Sequence, residues 1–158
     1  MQKITTFLWF DKEAEEAAKF YCAIFKSSKI LKISRYGGED GPFPKGGVMT
    51  VQFRLDGQEF IAMNGGPQFK FTEAISLAIA CKDQKEIDYY WKALLAGGGE
   101  ESMCGWLKDK YGLSWQVYPP VLVGMLADKD AKKAKRTMDA MMQMRKLDLK
   151  KLKEAYDG

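Results

Sequence analysis

No histidine occurs among the 158 residues of the chain, and that bounds its chemistry first. Ser–His–Asp and Cys–His nucleophilic centres are excluded, as is any imidazole-ligated metal. Acid–base work near neutral pH would fall to a carboxylate, Lys, Tyr or Cys with a displaced pKa. Cys104 and Tyr111 are the side chains such an activity could recruit. The three cysteines, Cys22, Cys81 and Cys104, are too widely spaced for a CxxC pair or a zinc site. They read as buried thiols of a reducing compartment. Gly97-Gly98-Gly99 follows a helical pattern and Gly65-Gly66 lies between strands, while neither GxGxxG nor a GK(S/T) run occurs. A phosphate-cradling loop is therefore not expected, and neither is a bound nucleotide cofactor. Of the tryptophans, Trp91 falls on a helical apolar stripe and belongs to the core. Trp9, Trp106 and Trp115 fall on or beside strands, where they can fill a core or line a cavity.

The elements that would position these residues come in a repeated order. Lys3 to Phe10 predicts a strand, rich in β-branched and aromatic residues. Asp11 can cap a helix that places Ala14, Ala17, Ala18, Tyr21, Ile24 and Phe25 on one face. Lys29 to Tyr36 predicts a second strand, and Gly37 to Gly47 a Gly/Pro-rich loop. Val48 to Asn64 predicts a hairpin about Asp56-Gly57. A two-residue turn there pairs Phe53 with Phe60 and Val51 with Ala62 on an apolar face. Arg54, Glu59, Gln52, Ile61, Thr50 and Met63 fall on the other. The order then restarts. Ile75 to Cys81 predicts a strand, and Asp83 with Glu86 resembles a capping box. Ile87, Tyr90, Trp91, Leu94 and Leu95 form a helical stripe. Short strands are expected near Glu101–Cys104, Trp106–Asp109 and Leu113–Tyr118. A shift of 73 residues carries Ala14, Ala17, Ala18 and Tyr21 onto Ile87, Tyr90, Trp91 and Leu94. The expectation is α+β: two βαβββ modules, 1–67 and 73–120, whose sheets are curved and mixed and could open onto one cavity.

Residues 128–158 follow as amphipathic helices packed on the same domain, completing an organisation of 1–127 plus a helical extension. Asp130 and Asp148 are the expected caps, and Ala134, Met138, Met141, Met142 and Arg145 the expected inner line. This extension carries ten Lys/Arg against six Asp/Glu, whereas residues 1–127 carry fifteen of each. A surplus of that size on helices reads as a solvated face, not as a nucleic-acid or membrane surface. No run approaches the ~20 apolar residues of a membrane span, and the N-terminus lacks the apolar core of a signal peptide. A cytoplasmic protein is expected.

Several motifs together resemble a known family. Phe7-Leu8-Trp9-Phe10-Asp11, Ala14-Glu15-Glu16-Ala17, Phe20-Tyr21, Asn64-Gly65-Gly66-Pro67 and Ile75-Ser76-Leu77 are similar to PhnB-like proteins. So are Trp106 through Gly112, Ser114-Trp115-Gln116-Val117, and the tail from Met138 to Asp148. These are 3-demethylubiquinone-9 3-methyltransferase-like members of the vicinal-oxygen-chelate superfamily, which also holds glyoxalase I and bleomycin-resistance proteins. The resemblance implies paired βαβββ modules and a homodimer. Metal enzymes of the superfamily carry ligands at four strand positions, which the resemblance puts on Thr6, on Met63 or Asn64, on Ser76 and on Gln116. These are neutral, weak ligands for a divalent ion, so no metal is expected. With Trp9, Trp106 and Trp115 as walls, the same positions would suit a planar or amphipathic small molecule. The expected function is metal-free small-molecule binding. The alternative is an enzyme, such as the methyl transfer to a quinone precursor that the family name suggests.

Overall fold

The computed structural model describes residues 2–38 and 42–158; positions 39–41 of the expected 37–47 loop lie outside the described residues. The chain divides into two compact units, Met1–Phe71 and Thr72–Gly158.

In the first unit, strand β1 (Thr6–Phe10) leads into helix α1 (Ala14–Ile24), followed by β2 (Lys29–Arg35), β3 (Val48–Leu55) and β4 (Gln58–Asn64). The sheet order is β1-β4-β3-β2, with β1 parallel to β4. The β3–β4 hairpin has the expected register, Phe53 opposite Phe60 and Val51 opposite Ala62. Asp56 and Gly57 both take positive φ, 44° and 87°, the backbone a two-residue hairpin turn requires. The buried face of α1 is Ala14, Ala17, Ala18, Tyr21 and Ile24. Its small residues let the helix lie close to the sheet, while Tyr21 stacks on Phe53 and Phe53 on Phe60. One expectation is corrected. Asp11 does not cap α1: the N-cap is Glu13, which makes no side-chain cap bond, and the first helical N–H goes instead to Asn64.

In the second unit, β5 (Ser76–Ala80) and α2 (Gln84–Leu95) precede β6 (Glu100–Glu101), β7 (Trp106–Lys108) and β8 (Ser114–Tyr118). The order β5-β8-β7-β6, with β5 parallel to β8, repeats that of the first unit strand for strand. Asp83 caps α2 through the N–H of Glu86, and the Glu86 carboxylate accepts the N–H of Lys82. The box is thus displaced by one residue from its usual form. Ile87, Trp91 and Leu94 are the buried stripe. The second strand of this unit is shorter than expected: β6 ends at Glu101, and Cys104 takes a φ of 58° that no strand residue adopts.

Helices α3 (Val121–Leu126), α4 (Ala131–Met142) and α5 (Leu149–Asp157) complete this unit. Asp130 and Asp148 cap α4 and α5 as expected. Leu122, Leu147 and Leu152 form a small core of their own, against which Tyr118, Leu126, Met141 and Met144 pack. The expected inner line of α4 is rotated. Thr137 is buried while Met138 and Met142 are exposed, and Arg145 lies past the helix end. Thr137 can face inward because its hydroxyl donates to the Lys133 carbonyl.

Candidate functional site

Strand alternation decides which side chains can meet. In the first sheet, Thr6, Leu8 and Phe10 share a face with Phe60, Ala62 and Asn64, the face α1 covers. Phe7 and Trp9 share the opposite face with Ile61 and Met63. Thr6 and Asn64 therefore stand apart from Trp9 and Met63. Asn64 is 5% exposed and both polar ends of its amide are engaged. Oδ1 accepts the Ala14 N–H at 2.8 Å and Nδ2 donates to the Val48 carbonyl at 3.0 Å. Its own carbonyl accepts the Tyr36 hydroxyl at 2.6 Å. Asn64 thus ties the start of α1 to the start of β3 and the end of β2. Trp9 donates its indole N–H to the Gly66 carbonyl and meets Phe69 edge-on.

In the second sheet, Leu77, Ile79, Leu107, Trp115 and Val117 make the face toward α2. Trp115 is buried there and donates its indole N–H to Asp109 Oδ2 at 2.8 Å. Asp109 Oδ1 takes the backbone N–H groups of Tyr111 and Leu113, so this buried carboxylate organises the turn into β8. Ser76, Ser114, Gln116, Trp106 and Lys108 occupy the other face. The structure therefore brings Ser76, Gln116 and Trp106 together and puts Trp115 behind them. Gln116 Nε2 donates to Ser76 Oγ at 2.8 Å, and Trp106 is the cross-strand neighbour of Gln116.

Beside this row lies a recess of about 190 Å³ bounded by Glu73, Glu100, Ser102, Trp106, Lys108 and Ser114. Lys108 Nζ sits 3.1 Å from a Glu73 carboxylate oxygen and 3.5 Å from one of Glu100. The hydrogen bond that Lys108 donates to Glu73 holds the Glu73 carboxyl below its usual pKa and raises that of Lys108. Sequence reasoning missed Ser114, Lys108, Glu73 and Glu100. Ser114 was accessible to it, standing two residues before Gln116 and so on the same face. Glu73 precedes its strand in a segment with no periodicity to place it.

The residues to which the resemblance assigns metal ligands, Thr6, Met63 or Asn64, Ser76 and Gln116, do not fit a divalent ion. Thr6 and Asn64 are on the helix-covered face with both polar groups of the Asn64 amide engaged, Met63 offers only a thioether on the opposite face, and Ser76 and Gln116 bond to each other. Among the described residues, no group of three or more Cys, Asp or Glu gathers as a metal site would.

Two four-stranded mixed sheets, each built βαβββ with the same strand order, define the vicinal-oxygen-chelate fold. The chain belongs to the PhnB-like, 3-demethylubiquinone-9 3-methyltransferase family, whose model matches residues 2–118. A PhnB protein of Bacillus cereus bearing that methyltransferase name is 43% identical. The match covers 75% of this chain and 99% of that one, with a TM-score of 0.67. A Pseudomonas aeruginosa protein shares the fold at 20% identity and a TM-score of 0.61, over 75% of this chain and 98% of that one. So does the fosfomycin resistance protein FosX of Listeria monocytogenes, solved with Mn(II) and sulfate. It is 16% identical, with a TM-score of 0.52 over 75% of this chain and 91% of that one. No curated protein matches the chain. Among the described residues, no helix is long and apolar enough to cross a membrane.

Proposed function

We propose that the chain is a metal-independent binding protein for a small organic molecule, held on the face of the second sheet turned away from α2. The observation that carries this reading is the row Ser76–Gln116–Trp106. A hydrogen-bonded hydroxyl–amide pair sits beside a half-buried indole, with a recess adjoining it. Donors and acceptors at fixed positions next to an aromatic wall are what orient a planar or amphipathic ligand. The neutral donor set favours such a ligand over a cation centre. Native mass spectrometry of protein isolated from cells, with elemental analysis of the same sample, tests it. The expected result is an organic molecule retained by the folded protein and no stoichiometric metal. One equivalent of zinc, nickel or iron per chain would overturn the metal-independent reading.

The family name favours a second reading, methyl transfer to a quinone precursor. Calorimetry with S-adenosylmethionine separates the two, because absence of heat at millimolar ligand removes the methyltransferase. We further propose a cytoplasmic homodimer; sedimentation at micromolar protein should return twice the chain mass.

A further inference from the structure

We infer that the recess beside Trp106 selects an organic ammonium, and that Lys108 occupies its cation position when no ligand is bound. This rests on the binding-face reading above and names the ligand class for it. Ser114 Oγ supplies the first reason. The residue lines the recess and is 1% exposed, and among the described residues its buried hydroxyl has no hydrogen-bond partner. A buried hydroxyl left unpaired is costly, so a group that bonds it is favoured to enter. The second reason is charge. Glu73 and Glu100 flank the recess and both converge on the one Lys108 ammonium. Two carboxylates share one cation, and the surplus negative charge favours a second. The third reason is Trp106. The other three indoles each donate to a residue of the chain: Trp9 to Gly66, Trp91 to Glu101 and Trp115 to Asp109. Trp106 is half-buried and donates to none among the described residues, leaving its face and its N–H for a ligand.

The local pairing says how exchange would work. Lys108 is directly opposite Ser114 across the β7–β8 ladder, so its side chain lies alongside that hydroxyl. Its Nζ is held by carboxylates that are themselves largely exposed, with Glu73 and Glu100 at 64% and 74%. Such exposed pairs are worth little and exchange readily. An incoming primary ammonium takes the place of Lys108 between the carboxylates and donates to Ser114 Oγ, while its apolar body lies on the indole. Lys108 swings into solvent, where its charge is well hydrated.

The test uses 2-phenylethylammonium, with 2-phenylethanol and 3-phenylpropionate as neutral and anionic controls. The readout is the Trp106 indole N–H resonance, identified by its loss in Trp106→Phe. The ammonium should shift that resonance saturably and at least tenfold more tightly than either control. Lys108→Met removes the built-in competitor and should tighten ammonium binding about tenfold. The double variant Glu73→Gln/Glu100→Gln should weaken it by at least as much. Equal binding of the alcohol and the ammonium would overturn ammonium selection while leaving the binding face intact. Failure of Lys108→Met to tighten binding would overturn the competition. If none of the three compounds moves the Trp106 resonance, the ammonium inference falls. If the native mass spectrum also holds no organic ligand, the binding-face reading falls with it.

Discussion

Asn64 shows how a side chain expected at a ligand site is spent on architecture. Both ends of its amide are bonded to backbone in the buried joint between α1 and β3. Asn64→Ala leaves the Ala14 N–H and the Val48 carbonyl without those partners. Urea denaturation should show a loss of about 1–3 kcal/mol, the cost of stranding buried polar groups. Cys81 makes a similar point for reactivity. Burial, with smaller contributions from Glu86 and Asp83, pushes its thiol up to about 12. A thiol so protonated at neutral pH is a poor nucleophile. Native protein treated with a disulfide reagent should leave Cys81 unmodified, and unfolding in denaturant should release it. The Lys108–Glu73 pair gives a pH window. Glu73 titrates below its ordinary 4.5, so the pair's contribution is full above that value and fades as pH falls through the lowered one. Lys108 titrates above its ordinary 10.5, so the contribution is full below that value and lost as pH rises through the raised one. NMR titration of the two side chains should find Glu73 shifted down and Lys108 shifted up, and Lys108→Met should return Glu73 toward 4.5.

At the scale of elements, the end of β4 is held by a close approach. A Cβ on Gly65 would lie 2.3 Å from the Trp9 ring. The segment after β4 therefore lies against β1 only because glycine leaves room for the indole, whose N–H is then taken by Gly66. Gly65→Ala has to displace a rigid ring and should cost about 1–3 kcal/mol, the range for overpacking a tight site. A change in Trp9 fluorescence should accompany the shift in denaturation midpoint. The hairpin was legible in full beforehand, since Asp56-Gly57 sets a two-residue turn and period-two alternation then fixes every pair. The cap of α1 was not. Asp11 has the right type and spacing, but the helix begins at Ala14, and its N–H is met by a residue fifty positions away.

At the scale of the molecule, the tail is a structural part of the second unit. Met144 and Arg145 accept the backbone N–H groups of Cys104 and Gly105. The side chain of Gln84 at the start of α2 bonds both Leu147 and Leu149. Arg136 donates to the last carbonyls of α5, which suits a cation at a helix C-terminus. Removing residues 128–158 takes away Leu147 and Leu152, both fully buried, and uncovers Leu122. Burial of two leucines is worth about 3–6 kcal/mol, a large part of the ~5–15 kcal/mol that holds a domain together. The truncated chain should melt lower or aggregate, measured by calorimetry and light scattering. A truncated chain with unchanged stability would make the tail an appendage.

The sequence by itself determined the number and order of the strands, the helices α1, α2, α4 and α5, the repeat and the hairpin register. These follow from local periodicity and turn chemistry, which act over a few residues at a time. It also brought out the family, through motifs spread along most of the chain. Tertiary structure alone decided which face each strand turns to its helix, because that depends on what packs across the sheet. Thr6 and Asn64 went to the α1 side, Trp115 to the α2 side, and Ser76, Gln116 and Trp106 to the opposite face. It also decided that Glu73 and Glu100, twenty-seven positions apart, meet at one lysine. A pairing of that kind arises only when the sheet has closed the chain on itself, and it leaves no periodic trace in the residues that make it.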